Sequence, residues 1–327
     1  MESRRFGRIG RHVSVVGLGA WQLGADWGEV TAGEAFATLA AAVDAGATFI
    51  DTADVYGDGR SERLIGEFLR TRPGDRIMVA TKMGRRVPQD PAHYTAANLR
   101  AWADRSRANL GVDTLDLVQL HCPPTAVFHD DRVFDALDGL VESGAIAAYG
   151  VSVETADQAL TAIARPRVAS VQIILNAFRL KPLDAVLPAA RAAGVGVIAR
   201  VPLASGLLSG RYDAATTFPA DDHRSFNRHG EAFDVGETFS GVDFATGLRA
   251  VDRLRPLVPE CMTMAQFALR WVIDQPGVTT VIPGARGPAQ ARANLAAAAL
   301  PPLPPAALAG VRATYDELIR PDVHDRW

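Results

Sequence analysis

Eight short apolar runs, most of them trailed by a helical pattern, leave this chain very few folds to adopt. They are 13–19 (VSVVGLG), 48–51 (TFID), 76–82 (RIMVATK), 115–121 (LDLVQLH), 145–152 (AIAAYGVS), 170–176 (SVQIILN), 195–201 (VGVIARV) and 279–285 (TTVIPGA). Near-continuous apolar strands belong to a parallel sheet covered on its outer face. From Thr31, apolar residues at Ala35, Phe36, Leu39, Ala42 and Val43 keep helical spacing until Gly46 stops the helix. Further helices are expected over 61–70, with Ser61 as N-cap, and over 95–110, 131–143, 154–164, 184–193 and 288–299. Eight such units predict an α/β fold closed into a (β/α)₈ TIM barrel. The rival, an open doubly wound sheet, carries a GxGxxG turn after its first strand. VGLGAWQLG does not supply one, and its glycines suit a tight exit beside a pocket instead.

The irregular segments fit the same frame. RFGRIG near the start reads as a small hairpin plugging one end of the barrel, and the tail after PPLPP (301–305) as a helix running to about 320. Residues 202–243 form a long insertion after the seventh strand, which places it at the C-terminal mouth as a lid, a binding loop or a disordered segment. No linker divides the chain, so residues 1–327 are read as one domain. A net charge of −3 offers no electrostatic case for nucleic acid or an anionic membrane surface. Two cysteines make no disulfide framework, and no uncharged apolar run reaches the ~18 residues of a membrane span. MESRRFGRIGRH has no apolar signal core, so a cytoplasmic protein is expected.

In a barrel of this kind chemistry sits at the C-terminal ends of the strands. FIDTADVYG (49–57) ends its strand on Asp51 and carries Tyr56 on the turn beyond; ATKMG brings Lys82 to the end of the third strand, and VQLHCPP brings His121 to the end of the fourth. Phenols ionise near 10, too high for easy proton transfer at neutral pH. A neighbouring ammonium lowers that value, and a carboxylate holds the ammonium charged and oriented. Lys82 and Asp51 are the right types for those tasks, and a neutral His121 can orient a carbonyl oxygen. Taken singly, Asp51 reads as a turn residue, Tyr56 as a rim residue and Lys82 as a solvated cation. Four suitable side chains at successive strand ends favour a shared site. His121, Cys122 and His129 match no zinc-ligand spacing, so no metal is expected.

FIDTADVYGDGRSERLIGEFL, VATKMG, DLVQLH and YGVS resemble the signature segments of the aldo-keto reductases, NAD(P)H-dependent barrel oxidoreductases. The resemblance runs from GLGAWQLG to VIPGARGPAQARANL. It implies a tetrad of Asp51, Tyr56, Lys82 and His121, with tyrosine as general acid and nicotinamide as hydride donor. For the cofactor it implies Gly19, Ala20 and Trp21 at the first strand's exit, with Ser152 and Gln172, and Asn176 nearby, at the carboxamide. Arg200 stands where the family often stacks an aromatic ring on the nicotinamide. Val201, Pro202, Leu203, Ala204, Gly206, Leu208, Gly210 and Arg211 resemble the pyrophosphate-embracing loop. Gly284, Ala285, Arg286, Gln290 and Asn294 fall on the adenosine segment, although many members have lysine and serine where Gly284 and Ala285 stand. Arg286 is the remaining cation for a 2′-phosphate, so NADP(H) is preferred and NAD(H) admissible. Val153 replaces a commonly seen asparagine.

The implied activity is reduction of an aldehyde or ketone, a small-molecule carbonyl substrate met by Trp21, Tyr56, His121, Arg224 and Phe226. DDHRSFNR in the insertion mixes charges with aromatics, which suits a polar or sugar-like carbonyl, or else forms a lid whose charges pair internally. Two other classes compete. One is a nucleotide-binding regulatory subunit with weak turnover, as in the β subunits of voltage-gated potassium channels. The other is a metal-dependent barrel hydrolase, which needs a ligand cluster that the sequence does not offer.

Overall fold

The computed structural model describes residues 1–24 and 30–327. A two-stranded antiparallel hairpin, β1 (Ser3–Arg5) and β2 (His12–Ser14), precedes an eight-stranded parallel sheet. The sheet runs in chain order through β3 (Leu18–Gly19), β4 (Phe49–Asp51), β5 (Met78–Met83), β6 (Leu117–His121), β7 (Tyr149–Ser152), β8 (Val168–Ile174), β9 (Gly196–Arg200) and β10 (Thr280–Val281). Bridges Val16↔Val281 and Gly19↔Gly284 join its last strand to its first and close the barrel. The run 13–19 is therefore two elements: its start pairs in the hairpin and its end in the barrel.

Helices α1 (Ala32–Asp44), α2 (Arg60–Arg70), α3 (Ala96–Leu110), α4 (Asp131–Glu142), α5 (Ala156–Ile163) and α6 (Val186–Ala193) form the crossovers where periodicity places them. Beyond β9 come a single turn, α7 (His223–Phe226), then α8 (Phe244–Leu254) and α9 (Met264–Ile273). The last two are absent from the sequence-based expectation. Gly247 interrupts the apolar pattern of α8 and is small because Leu207 packs on it; a Cβ there would lie 2.7 Å from Leu207 Cδ1. Residues 267–273 of α9 are all buried, which leaves it no one-sided stripe. Past β10, α10 (Pro288–Ala296), α11 (Pro305–Thr314) and α12 (Arg320–Val323) complete the chain.

Strand alternation sorts the two barrel faces. Ile50, Val79, Val118, Leu120, Val151, Val171, Ile173 and Val197 point outward into the layer shared with the helices. Phe49, Met78, Ala80, Leu117, Ile198 and Ile282 point inward and form an inner cluster with Phe6 and Val13 of the hairpin region. Phe6 stacks on Phe49 with ring centroids 5.5 Å apart, so the hairpin does plug the barrel floor. Gly7 makes that fit possible: its φ is +42°, and a Cβ would lie 2.4 Å from the Gly196 nitrogen. With its lower layers filled by apolar groups, the barrel leaves its upper inward positions, Asp51, Lys82, Gln119, His121, Ser152, Gln172 and Arg200, to polar side chains.

Ser61 is not the N-cap of α2; that position is Gly59. The Ser61 hydroxyl is buried, donating to the Ala20 carbonyl at 3.0 Å and accepting from Thr52 Oγ1 at 2.8 Å. It ties the exits of β3 and β4 together, directly behind Asp51.

Residues 202–243 form an ordered lid. Asn227 Oδ1 accepts from the backbone nitrogens of Ala232 and Phe233 at 2.8 and 2.9 Å, and its Nδ2 donates to Thr238 Oγ1 at 3.1 Å. Asn176, two residues past β8, fastens the lid by donating to the Val201 carbonyl at 2.8 Å and to Ser240 Oγ at 2.7 Å. No helix among the described residues is long and apolar enough to cross a membrane. Cys122 and Cys261 are both free.

Candidate active site

The four strand-end side chains predicted from the sequence converge. Lys82 Nζ donates to Asp51 Oδ2 at 2.5 Å, to the Thr52 carbonyl at 2.9 Å and to Tyr56 Oη at 3.2 Å. Three oxygens therefore use all three protons of the ammonium. The Tyr56 and His121 rings meet edge to face with centroids 6.1 Å apart. Parallel register explains the geometry: Asp51 pairs with Ala80, Lys82 with Gln119 and His121 with Ser152, so successive inward residues step around one rim.

The electrostatics follow from burial. Burial opposes charge on Lys82, but the Asp51 carboxylate and Tyr56 outweigh it, and its pKa is raised. Burial pushes the Tyr56 phenol up, and the Lys82 ammonium pulls it down by less, so the net shift is upward. The lowering expected from the ammonium is thus present but overmatched, and the phenol is held protonated at neutral pH. Burial, reinforced by Arg85, Lys82 and Arg200, holds His121 well below the ordinary imidazole value, so the ring is neutral. Its Nδ1 is buried without a hydrogen-bond partner among the described residues.

A second charge chain lies beside the tetrad. Arg200, expected at the nicotinamide face, pairs with Glu237 of the lid and with Glu154 at 3.0 Å, and donates to the Val153 carbonyl at 3.0 Å. Arg85 reaches the other oxygen of Glu154 at 3.1 Å. Cys122, Glu154 and Glu237 offer ligand atoms within 4.8 Å of one another, but the Arg200 guanidinium contacts all three and supplies the positive charge itself.

The tetrad opens into a cleft of about 670 Å³, a size suited to a cofactor-sized molecule. Of the residues expected at a cofactor, Gly19, Ala20, Trp21, Ser152, Gln172, Arg200, Val201, Pro202, Leu203, Gly206, Arg211, Gly284, Ala285, Arg286 and Gln290 line it. Ala204 and Leu208 do not: both are buried in the core, and Gly210 packs on Met264. The Gly206 and Gly210 N–H groups are taken by the carbonyls of Leu203 and Leu207 at 2.9 and 3.1 Å. Asn294 lies behind the wall and holds the Gly284 carbonyl at 3.1 Å. Gln172 turns its amide nitrogen to Asp51 Oδ1 at 2.7 Å, and Asn176 is spent on the lid. Arg286 stands at the start of α10, where helix N–H groups favour an anion, with Gln290 Oε1 accepting its backbone N–H at 3.0 Å.

On the substrate side, Trp21 stacks on Tyr56 with centroids 5.9 Å apart and meets His223 and Phe233 of the lid at 5.5 and 6.0 Å. Phe226 borders the cleft and is 41% exposed. Arg224 also borders it, but its guanidinium is bound to Asp222 at 2.5 Å and to Tyr212 Oη. Within DDHRSFNR, Asp222 and Arg224 thus pair with each other, Arg228 Nε donates to the Arg224 carbonyl, and the His223 and Phe226 rings border the cleft. Arg85, Gln22, Tyr212, Phe233 and Glu237 also line it, and sequence reasoning missed them. Arg85 lies only three residues past Lys82 at a strand exit and was within reach of the same logic. Phe233 and Glu237 come from the middle of the insertion, where no periodicity points to them.

Comparison with known proteins agrees with this geometry. Residues 15–316 match the model of the aldo/keto reductase family. The chain is 30% identical over 299 residues to aldo-keto reductase YhdN of Bacillus subtilis, covering 90% of this chain and 87% of that protein. The glycerol dehydrogenase AKR11B4 from Gluconobacter oxydans superposes with a TM-score of 0.78 at 30% identity, over 98% of this chain and 96% of that one. An aldo-keto reductase from Klebsiella pneumoniae in complex with NADPH superposes with a TM-score of 0.70 at 26% identity, over 96% and 95%. A closed barrel, four converging strand-end groups and this match along nearly the whole chain place the protein in the aldo/keto reductase family, a family of oxidoreductases.

Proposed function

We propose that this protein reduces a small-molecule aldehyde or ketone to the alcohol, with NADPH preferred over NADH and Tyr56 as general acid. The observation that carries this reading is the threefold grip of Lys82 Nζ on Asp51, the Thr52 carbonyl and Tyr56 Oη, beside a neutral His121. A carbonyl oxygen entering between Tyr56 and His121 accepts hydrogen bonds from the phenol and the imidazole. NADPH, when bound, would supply hydride for the carbonyl carbon. As negative charge develops on the oxygen, Tyr56 Oη gives up its proton to it, and Lys82 stabilises the phenolate left behind. Asp51 keeps Lys82 charged through the cycle. Trp21 and the lid rings cover the site and exclude water.

Arg200 would present the plane of its guanidinium to the nicotinamide, while Arg211, Arg286 and Gln290 would meet the phosphates and the adenosine end. The preference for NADPH draws on Arg286 at the start of α10 and on the NADPH-bound Klebsiella relative. A sugar-like substrate draws no support from Asp222 and Arg224, because these two lid charges are bonded to each other. The test is coenzyme oxidation at 340 nm with a panel of aldehydes, ketones and sugars. Turnover with at least one carbonyl class, faster with NADPH than with NADH, is expected. An absence of oxidation across the panel would overturn the reading.

A further inference from the structure

Arg85 takes no part in the reaction as described, yet it borders the cleft beside Tyr56 and His121. Its Nε donates to the His121 carbonyl oxygen at 3.1 Å and its Nη2 to Glu154 Oε1 at 3.1 Å. Among the described residues Nη1 has no hydrogen-bond partner, so one face of the guanidinium fork is open. Anchoring at two other nitrogens removes most of the side chain's rotamer freedom, so the open face is pre-organised.

The charge chain behind it is balanced overall, two guanidiniums against two carboxylates, but it ends on Arg85, which has the smaller share of the negative charge. Glu154 divides its oxygens between Arg85 and Arg200, and Arg200 also holds Glu237. Glu237 borders the cleft too, but its carboxylate is taken by Arg200. Arg85 therefore shares half of one carboxylate, whereas Arg200 is paired twice. Arg85 is also the most open of the four, with 23% of its side chain exposed against 16% for Glu154, 8% for Arg200 and 11% for Glu237. A partly desolvated guanidinium with a free N–H donor binds carboxylate better than hydroxyl, because the bond is charge-assisted. The rings of Trp21, Phe226 and Phe233 line other parts of the same cleft and suit an apolar ligand body.

From this we infer that Arg85 selects the substrate, and that the preferred class is oxo acids, aldehydes or ketones carrying a carboxylate that Arg85 Nη1 receives while Tyr56 and His121 hold the carbonyl. The inference rests on the carbonyl-reductase reading above. No covalent step is added: the carboxylate is bound and released unchanged.

The experiment compares matched pairs, 4-carboxybenzaldehyde with methyl 4-formylbenzoate and 4-oxobutanoate with butanal, on the wild type, Arg85→Met and Arg85→Lys. The readout is the ratio of kcat/KM for the acid to that for its neutral partner. In the wild type the acid of at least one pair is favoured roughly tenfold or more. Arg85→Met collapses that ratio towards one, chiefly through KM of the acid, and Arg85→Lys restores part of it. A second readout needs no turnover: quenching of tryptophan fluorescence by benzoate and benzamide, where benzoate binds more tightly and loses that advantage in Arg85→Met. A ratio near one in the wild type for both pairs, or a ratio that Arg85→Met leaves unchanged, overturns the inference while the reductase reading stands. Selective, Arg85-dependent benzoate binding without reduction of any aldehyde removes the reductase reading and leaves the carboxylate site in place.

Discussion

Gln172 Nε2 donates to Asp51 Oδ1 at 2.7 Å from across the barrel, between strands β8 and β4 that are not neighbours in the sheet. Gln119 Nε2 approaches the same oxygen at 3.3 Å, so Oδ1 is engaged by amides while Oδ2 faces Lys82. Asp51 is thus aimed at Lys82 by two amide side chains from β8 and β6. Replacing Gln172 by Leu removes the shorter of these bonds and leaves a buried carboxylate oxygen with one weak donor. The expected cost is roughly 1–3 kcal/mol of stability, read as a lower Tm, with a fall in kcat larger than any change in NADPH affinity. A variant that loses coenzyme affinity alone, with kcat intact, would show that Gln172 serves the nicotinamide rather than Asp51.

Asp54, two residues before Tyr56, is buried with both carboxyl oxygens unpartnered among the described residues. Burial, with a further push from Glu62, raises its pKa from 3.8 to about 7. Between those values the folded protein holds a proton that the unfolded chain has released. That group's contribution is fully present below about pH 4 and is lost as pH rises through 7, up to roughly 4 kcal/mol. Asp54→Asn mimics the protonated form. Thermal unfolding should find it more stable than the wild type at pH 8, by a margin that shrinks at pH 5. A margin independent of pH would mean that Asp54 ionises normally in the folded state.

Arg286 is half-exposed at the start of α10 and lies 3.8 Å from Asp222 of the lid. Arg286→Ala should weaken NADPH binding by roughly tenfold and NADH binding much less, because only NADPH carries the 2′-phosphate. Titration of each coenzyme by fluorescence checks this. Equal weakening would assign Arg286 to the shared part of the coenzyme or to holding the lid.

Periodicity was sufficient for the barrel because each strand is buried on both faces, so apolar runs and helical stripes mark every crossover through α6. It failed at α8, where a packing glycine breaks the stripe, and at α9, where residues 267–273 are all buried and no one-sided stripe exists. Asp51, Tyr56, Lys82 and His121 were legible because strand ends in a closed barrel must converge, whatever their separation in the chain. Gln172 was assigned to the cofactor, yet its amide points to Asp51, since a residue on the rim faces both the cleft and its neighbours. Glu237 was invisible: its pairing with Arg200 depends on how 35 residues of lid fold back, and tertiary contacts such as Asn227–Thr238 and Asn176–Ser240 decide that. Burial also reversed the sign expected for the Tyr56 shift, because a sequence reveals the neighbouring ammonium but not how completely water is removed.

The proton that Tyr56 holds is the centre of the account, and a single-turnover experiment reads it most directly. Enzyme preloaded with NADPH is mixed with a reducible aldehyde in a stopped-flow instrument, and the hydride-transfer rate of Tyr56→Phe is compared with that of the wild type. The account predicts a loss of roughly a hundredfold or more, with NADPH affinity retained, because Phe keeps the ring beside Trp21 and removes only the acid. A Tyr56→Phe enzyme that transfers hydride at the wild-type rate would contradict it.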